Sequence, residues 1–131
     1  MKKIALALTL ALMSTCVLAK WAEVASSEEG KFTYYADEAT IRKSGTTVRV
    51  FTLIDYQEAQ VISGALQYLS VEMQEEVNCA DQKTRHLNLL AFSDHMGKGK
   101  IVGRENKPAE WRPVSQESMV EDILTFACGK K

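Results

Sequence analysis

The sequence predicts an α+β domain that is mostly β, an antiparallel sheet of about six strands with a C-terminal helix packed on one face. Apolar and polar residues alternate in short runs between glycine-containing turns, which is the period-two pattern of strands. After Pro113 the apolar residues recur at helical spacing instead. The cysteines Cys79 and Cys128 then predict a covalent link between helix and sheet.

Six segments carry the strand pattern, and the fourth shows it most clearly. There Val71, Met73 and Val77 fall on one face, whereas Glu72 and Gln74 fall on the other. This alternation predicts an antiparallel sheet with one core face and one solvated face. The predicted strands are 21–25, 32–36, 46–54, 66–79, 84–92 and 100–104, with turns at 28–30, 43–45 and 96–99.

The helix is predicted to begin near Ser115, a suitable N-cap residue, and to end before Gly129. Cys128 stands at its last turn. A disulfide from Cys128 to Cys79 would hold the helix on the apolar face of the fourth strand, and in the chain-entropy model its long loop contributes about 4 kcal/mol. The apolar positions of the helix are Met119, Val120, Ile123, Leu124, Phe126 and Ala127.

The N-terminus predicts export. Lys2 and Lys3 precede an apolar run over residues 4–12 and a small-residue exit at Ala19, so residues 1–19 are interpreted as a signal peptide and residues 20–131 as a single domain. Cleavage after Ala19 removes Cys16 and leaves an even number of cysteines in an oxidising compartment. Lipid attachment at Cys16 is the alternative, although Thr15 fits that motif poorly. The expected location is the periplasm or the outer-membrane surface.

Charge and composition exclude several functions. The formal net charge is −1, and loss of the two signal lysines makes the exported chain more acidic, which argues against nucleic-acid binding. His86 and His95 are the only histidines, and Ser93, Asp94 and His95 are too close in sequence to converge as a catalytic triad. We therefore expect no enzyme activity, metal site or cofactor.

Two groups of basic residues are candidate partner-binding positions. Lys98, Lys100, Arg104 and Lys107 cluster around the last hairpin, where they would hold an acidic partner or a sulfated polysaccharide, or simply form a solvated loop. The C-terminal pair, Lys130 and Lys131, presents the ammonium and carboxylate that lysine-binding kringle modules of plasminogen recognise. The alternative for this pair is a basic tail that only aids solubility.

The third strand is apolar on both faces, since Val50 and Phe51 point in opposite directions. Either a strongly curled sheet buries both sides, or a homodimer forms through the second face.

A series of short motifs follows in order along nearly the whole chain after the predicted signal peptide. They are Tyr34-Tyr35-Ala36-Asp37, Thr40-Ile41-Arg42-Lys43 with Gly45, 53–56 with Gln60, Tyr68-Leu69-Ser70, Cys79, Arg85, Phe92-Ser93, Met96-Gly97 with Gly99, Trp111 with Pro113, and 127–131. In this order the motifs resemble the surface-adhesin protein E family of exported bacterial proteins. The resemblance implies a curved antiparallel sheet with the C-terminal helix on one face, no catalytic motif, and binding of host proteins such as vitronectin, laminin and plasminogen. It assigns no binding residue.

The sequence therefore predicts a disulfide-bonded, non-enzymatic binding protein of the cell envelope, adhesin-like in function. The alternative is a periplasmic protein of the same fold that binds a small ligand or an envelope component.

Overall fold

The computed structural model describes residues 21–129, which form one meandering sheet and one helix. The predicted signal peptide, with Cys16, lies outside the described residues. The strands are β1 (Ala22–Ser26), β2 (Phe32–Ser44), β3 (Thr47–Val61), β4 (Gln67–Asn78), β5 (Lys83–Phe92), β6 (Ile101–Glu105) and β7 (Arg112–Pro113); a 3-10 turn spans His95–Gly97, and helix α1 spans Met119–Cys128.

Each strand from β1 to β5 pairs antiparallel with the next in the chain, and the short β7 pairs with the far end of β5. Tight turns permit this order, because Gly30 and Gly45 adopt positive φ angles of 68° and 62° at the first two hairpins. The sheet is open, with β1 and β6 at its edges. The predicted antiparallel sheet with a C-terminal helix is confirmed.

Bulges explain where the predicted strand ends are wrong. β2 and β3 continue well beyond the predicted ends at residues 36 and 54, because the register shifts between Asp37 and Arg42 and again between Asp55 and Gln60. A bulge interrupts the period-two alternation while the strand continues, and it increases the local twist. The sequence pattern therefore fades where the sheet bends.

One side of the sheet, here called the helix-facing side, carries the main core. Cross-strand pairing places Ala36 opposite Thr52, and Val77 opposite Val48, so alternate residues of successive strands line the same side. Helix α1 covers this side with Ile123 and Ala127, each 1% exposed. The core residues include Tyr34, Ala36, Val48, Val50, Val71, Met73, Val77 and Ala91.

A disulfide fixes α1 on the sheet. The predicted bond between Cys79 and Cys128 is present, with a Cα–Cα distance of 5.8 Å and a sequence separation of 49. The predicted N-cap is wrong: the helix begins after Ser118, whose hydroxyl accepts a hydrogen bond from the Glu121 amide at 3.2 Å. Glu117 has a left-handed φ of 59°, which breaks a helix starting at Ser115.

The opposite, loop-facing side of the sheet is not the solvated face that the alternation predicts. Leu53 and Ser70 on this side are 0% exposed, and Glu76 is 5% exposed. The chain after β5 folds back over this side, and two arginines cover Glu76. Within one chain, β3 therefore has a buried residue on each side, Val50 on the helix-facing side and Leu53 on the loop-facing side, while Phe51 on the loop-facing side is only partly buried.

A buried carboxyl lies in the core on the helix-facing side. Tyr34 donates a hydrogen bond from its hydroxyl to Glu75 Oε1 at 2.7 Å, and Glu75 is 6% exposed. Burial raises the pKa of Glu75, and the hydrogen bond from Tyr34 only partly opposes this rise. Burial, and then the Glu75 charge, also raise the pKa of Tyr34 well above its usual value, so its hydroxyl remains a donor.

We expect loss of the disulfide to cost about 4 kcal/mol of unfolding free energy, because the unfolded chain regains the entropy of the closed loop. Denaturant unfolding of the Cys79→Ser/Cys128→Ser variant measures this cost. Reductant should lower the unfolding free energy of the oxidised protein by the same amount and should leave that of the variant unchanged. An unchanged unfolding midpoint of the oxidised protein in reductant would contradict the assigned role.

Glu75→Gln should stabilise the protein increasingly as pH rises. The raised pKa means that the folded state penalises the charged carboxylate, so this group costs stability as pH rises from about 4.3, the ordinary value, through the raised pKa. Glutamine stays neutral and avoids that cost. Denaturant unfolding of both proteins between about pH 4 and pH 8 measures the difference. The exposed Glu110→Gln is the control, and a difference that does not change with pH would refute the assignment.

Candidate functional site

The loop between β5 and β6, residues 93–100, is attached to the loop-facing side of the sheet by two side chains. Asp55 Oδ1 accepts a hydrogen bond from the Met96 amide at 2.8 Å. The Ser70 hydroxyl donates to the Asp94 carbonyl at 2.7 Å and accepts from the Gly97 amide at 2.8 Å. Because Ser70 and Asp55 lie on the central strands β4 and β3, the loop has a fixed position on the sheet.

The loop conformation depends on residues with left-handed backbone angles. Gly99 has a φ of 83°, and a Cβ there would lie 2.3 Å from Ser93 Oγ, so only glycine fits. Met96 has a φ of 59°, an unusual angle for a residue with a side chain. The hydrogen bond from Met96 to Asp55 holds it there. The predicted hairpin turn is therefore a structured loop containing a 3-10 turn.

The four basic residues that the sequence singles out around this hairpin lie along one edge of the sheet. Lys98 and Lys100 belong to the loop, Arg104 to the edge strand β6, and Lys107 to the segment that follows; all four are exposed. Within residues 21–129, none of them has a carboxylate within 4.0 Å. We call these four residues the basic edge.

Other basic residues are held by a buried carboxylate. Glu76 accepts hydrogen bonds from Arg49 Nε at 3.0 Å and from Arg85 Nε at 2.9 Å. Burial alone would raise the pKa of Glu76, but the hydrogen bonds from the two arginines outweigh it and lower that pKa. Arg85 also lies over the Trp111 ring, 4.7 Å from its centroid, and so connects the segment before β7 to the sheet. These arginines are structural, whereas the basic edge is free to contact a partner.

A cavity borders the same edge on the helix-facing side. Its volume is about 430 Å³, and Val71, Met73 and Ala91 are among its lining residues. The tip of the β3–β4 hairpin forms one wall, where Val61 is 58% and Ile62 44% exposed. Ile62 reaches β6, because its Cδ1 lies 2.8 Å from the position a Cβ would take on Gly103. We call this space the edge cavity.

The histidines and Asp94 do not meet in one place. His95 Nδ1 lies 3.2 Å from Asp55, while His86 pairs across the sheet with Glu75. Asp94, next to His95, contacts Ser70, and Ser70 lies five positions before Glu75 on β4. At the rise of a β-strand, five positions separate the His95 region from the His86 region by about 17 Å. A bulge in β4 places His86 opposite Glu75 and Asn88 opposite Gln74. Because Glu75 and Gln74 point to different sides of the sheet, His86 and Asn88 also point to different sides.

Among residues 21–129, no three histidine, cysteine, aspartate or glutamate residues are grouped so that they could hold a metal ion. No helix in this range has the length and apolar character needed to cross a membrane. Lys130 and Lys131, the predicted kringle-binding pair, lie outside the described residues.

Sequence reasoning missed the edge cavity and its hairpin wall. The available signal was the segment around the β3–β4 turn, in which Val61, Ile62 and Leu66 flank Gly64 where polar residues are usual. Apolar residues at a turn indicate contact with something outside their own hairpin. The bend that brings Ile62 to β6 arises from the bulge after Asp55, which no local pattern predicts.

Ser70→Ala should release the loop, because it leaves the Gly97 amide and the Asp94 carbonyl without their partner. We expect a loss of about 1–3 kcal/mol in unfolding free energy and faster hydrogen exchange at the Gly97 amide. Ser115→Ala is the control, since Ser115 is exposed and its side chain does not anchor the loop. Equal exchange at Gly97 in the two variants would show that Ser70 does not hold the loop.

Comparison with known proteins agrees with the fold. The structure of Haemophilus influenzae protein E matches with a TM-score of 0.63 and 13% identity, over 86% of this chain and 86% of that one. A second crystal form of that protein matches with a TM-score of 0.60 and 13% identity, over 84% of this chain and 96% of that one. The family model for surface-adhesin protein E matches residues 21–129. The chain therefore belongs to the surface-adhesin protein E family.

Proposed function

We propose that this protein is a non-enzymatic adhesin of the cell envelope that binds host or extracellular-matrix proteins through the basic edge. The observation that carries the proposal is a set of four exposed cations on a rigid support, none of which has a carboxylate within 4.0 Å among residues 21–129. The loop that presents Lys98 and Lys100 is anchored by Asp55 and Ser70. A partner that binds there loses little free energy to ordering of the loop, because the loop is already ordered before binding.

Charge favours an acidic partner surface. The exported chain is acidic overall, so a local group of cations gives the molecule one surface of opposite sign. Such a patch increases the association rate with acidic proteins and selects against basic ones. Vitronectin, laminin and plasminogen are the partners to test first, because the family resemblance implies binding of host proteins of this kind.

A periplasmic ligand-binding role is the second candidate, and the edge cavity is the observation that favours it. Its volume of about 430 Å³ lies within the range of small-molecule sites, and aliphatic side chains line it. The location of the protein separates the two main functions, since an adhesin must be exposed outside the outer membrane.

A homodimer through the loop-facing side also stays a prediction, since Tyr35 and Phe51 on that side are only partly buried.

Replacing the lysines of the basic edge should weaken binding to host proteins. We expect Lys98→Gln/Lys100→Gln/Lys107→Gln to reduce affinity for immobilised vitronectin, laminin or plasminogen by about tenfold at low ionic strength, with a smaller effect at high salt. The matched control, Lys31→Gln/Lys43→Gln/Lys83→Gln, removes the same charge from exposed lysines elsewhere. Surface plasmon resonance measures both.

Two outcomes would contradict the adhesin proposal. Equal losses in the two triple variants would show that net charge matters and that the basic edge does not. Protease treatment of intact cells that leaves the protein intact until the outer membrane is permeabilised would place it in the periplasm, and the ligand-binding candidate would then lead. Competition by heparin at the basic edge would instead identify a sulfated polysaccharide as the partner.

A further inference from the structure

The outer edge of β6 is an open strand edge next to the basic edge and the edge cavity. Within residues 21–129, β6 pairs with β5 alone, so its other edge presents backbone N–H and C=O groups that no strand satisfies. An unpaired edge of this kind accepts an additional strand from another chain. Ile101 at the start of β6 is 48% exposed, and Arg104 and Glu105 at its end are exposed as well, whereas Ile62 lies over Gly103 on the helix-facing side.

The register of β6 shows which side chains an added strand would meet. Gly103 lies opposite Ala91, a core residue of the helix-facing side, and therefore faces the edge cavity. Arg104 lies opposite Leu90, which in turn lies opposite Glu72 on the loop-facing side. Successive residues of an added strand point to these two sides in turn.

The two sides differ in chemistry. On the helix-facing side, the edge cavity offers Ile62 and Val61, both exposed, and Ile62 lies directly over Gly103 of β6. Glu105 lies on this side as well, opposite Leu89, and would repel an acidic residue. On the loop-facing side, Arg104 has no carboxylate partner within 4.0 Å in the described part of the chain.

We propose that β6 binds an extended partner segment in which aliphatic and acidic residues alternate, by adding that segment to the sheet as a further strand. The aliphatic residues enter the edge cavity, and the acidic residues face Arg104. Main-chain hydrogen bonds along β6 provide affinity, and the two side-chain rows provide selectivity. This inference rests on the proposed function and specifies how a partner protein is bound.

The test uses a fluorescent peptide of about ten residues in which glutamate and valine alternate, titrated by anisotropy against the exported chain. We expect this peptide to bind, and an alternating lysine–valine peptide to bind at least about tenfold more weakly. A glutamate–valine peptide methylated on alternate backbone nitrogens should also lose at least about tenfold, because methylation removes the donors that pair with β6. Amide hydrogen exchange should show protection of β6 on binding.

Arg104→Glu should weaken binding of the glutamate–valine peptide by at least about tenfold. Arg112→Glu is the matched control, since Arg112 is exposed and lies on β7, which pairs with the opposite end of β5. Unchanged binding of the methylated peptide, equal losses in the two arginine variants, or protection at β1 instead of β6 would each overturn the inference.

The two proposals fail in different ways. If the lysine variants lose host-protein binding while the peptide shows no dependence on backbone methylation, the adhesin function stands and strand addition is wrong. If the peptide binds β6 as expected but no host protein binds, strand addition stands and the adhesin function is wrong.

Discussion

The packing of one short helix against one side of an open sheet is the contact on which the rest of the structure depends. The helix spans only Met119–Cys128, yet it covers the residues that form the centre of the core. A helix of this length has little stability by itself, so tertiary packing and the bond to Cys79 must hold it in place. Without this cover, the apolar side of β2, β3 and β4 would be exposed to water.

The opposite side of the sheet is stabilised by a different kind of interaction. Hydrogen bonds and ion pairs dominate there: Ser70 and Asp55 hold the β5–β6 loop, while Glu76 holds two arginines. The buried Glu76 carboxylate accepts from both arginines, and the buried Ser70 hydroxyl accepts from the Gly97 amide, which offsets the cost of removing these groups from water. The result is a sheet covered on both sides, by a helix on one and by a polar loop on the other.

The helix and the polar loop cover the two sides of the sheet, and the exposed features on which the proposals rest lie along its β6 edge. Family membership indicates an adhesin-like surface protein, and four exposed cations of the described residues lie along the β6 edge without a carboxylate within 4.0 Å. The same edge carries an open strand and a cavity with aliphatic walls. Because the edge is fixed by β5 and by the anchored loop, the partner that we propose for it would meet a surface that is already ordered.

The sequence by itself determined the strand and helix types, the antiparallel order and the disulfide. Alternation in residues 66–79 and helical spacing after Pro113 are local patterns, and only two cysteines follow the predicted signal peptide. Sequence also located the basic residues of the candidate site, because their charges are evident wherever the chain folds.

Only the tertiary structure decided which side chains are buried on the loop-facing side and which segments meet at the β6 edge. The alternation predicts that Ser70 and Glu76 are solvated. The loop and the arginines that cover them come from distant parts of the chain. Glu75 likewise interrupts an apolar row, and its partner Tyr34 lies 41 positions away. Bulges after Asp37 and Asp55 bend the sheet, and the bend brings Ile62 to Gly103. Contacts between distant segments leave no periodic signal in the local sequence, so they become visible only when the chain is folded.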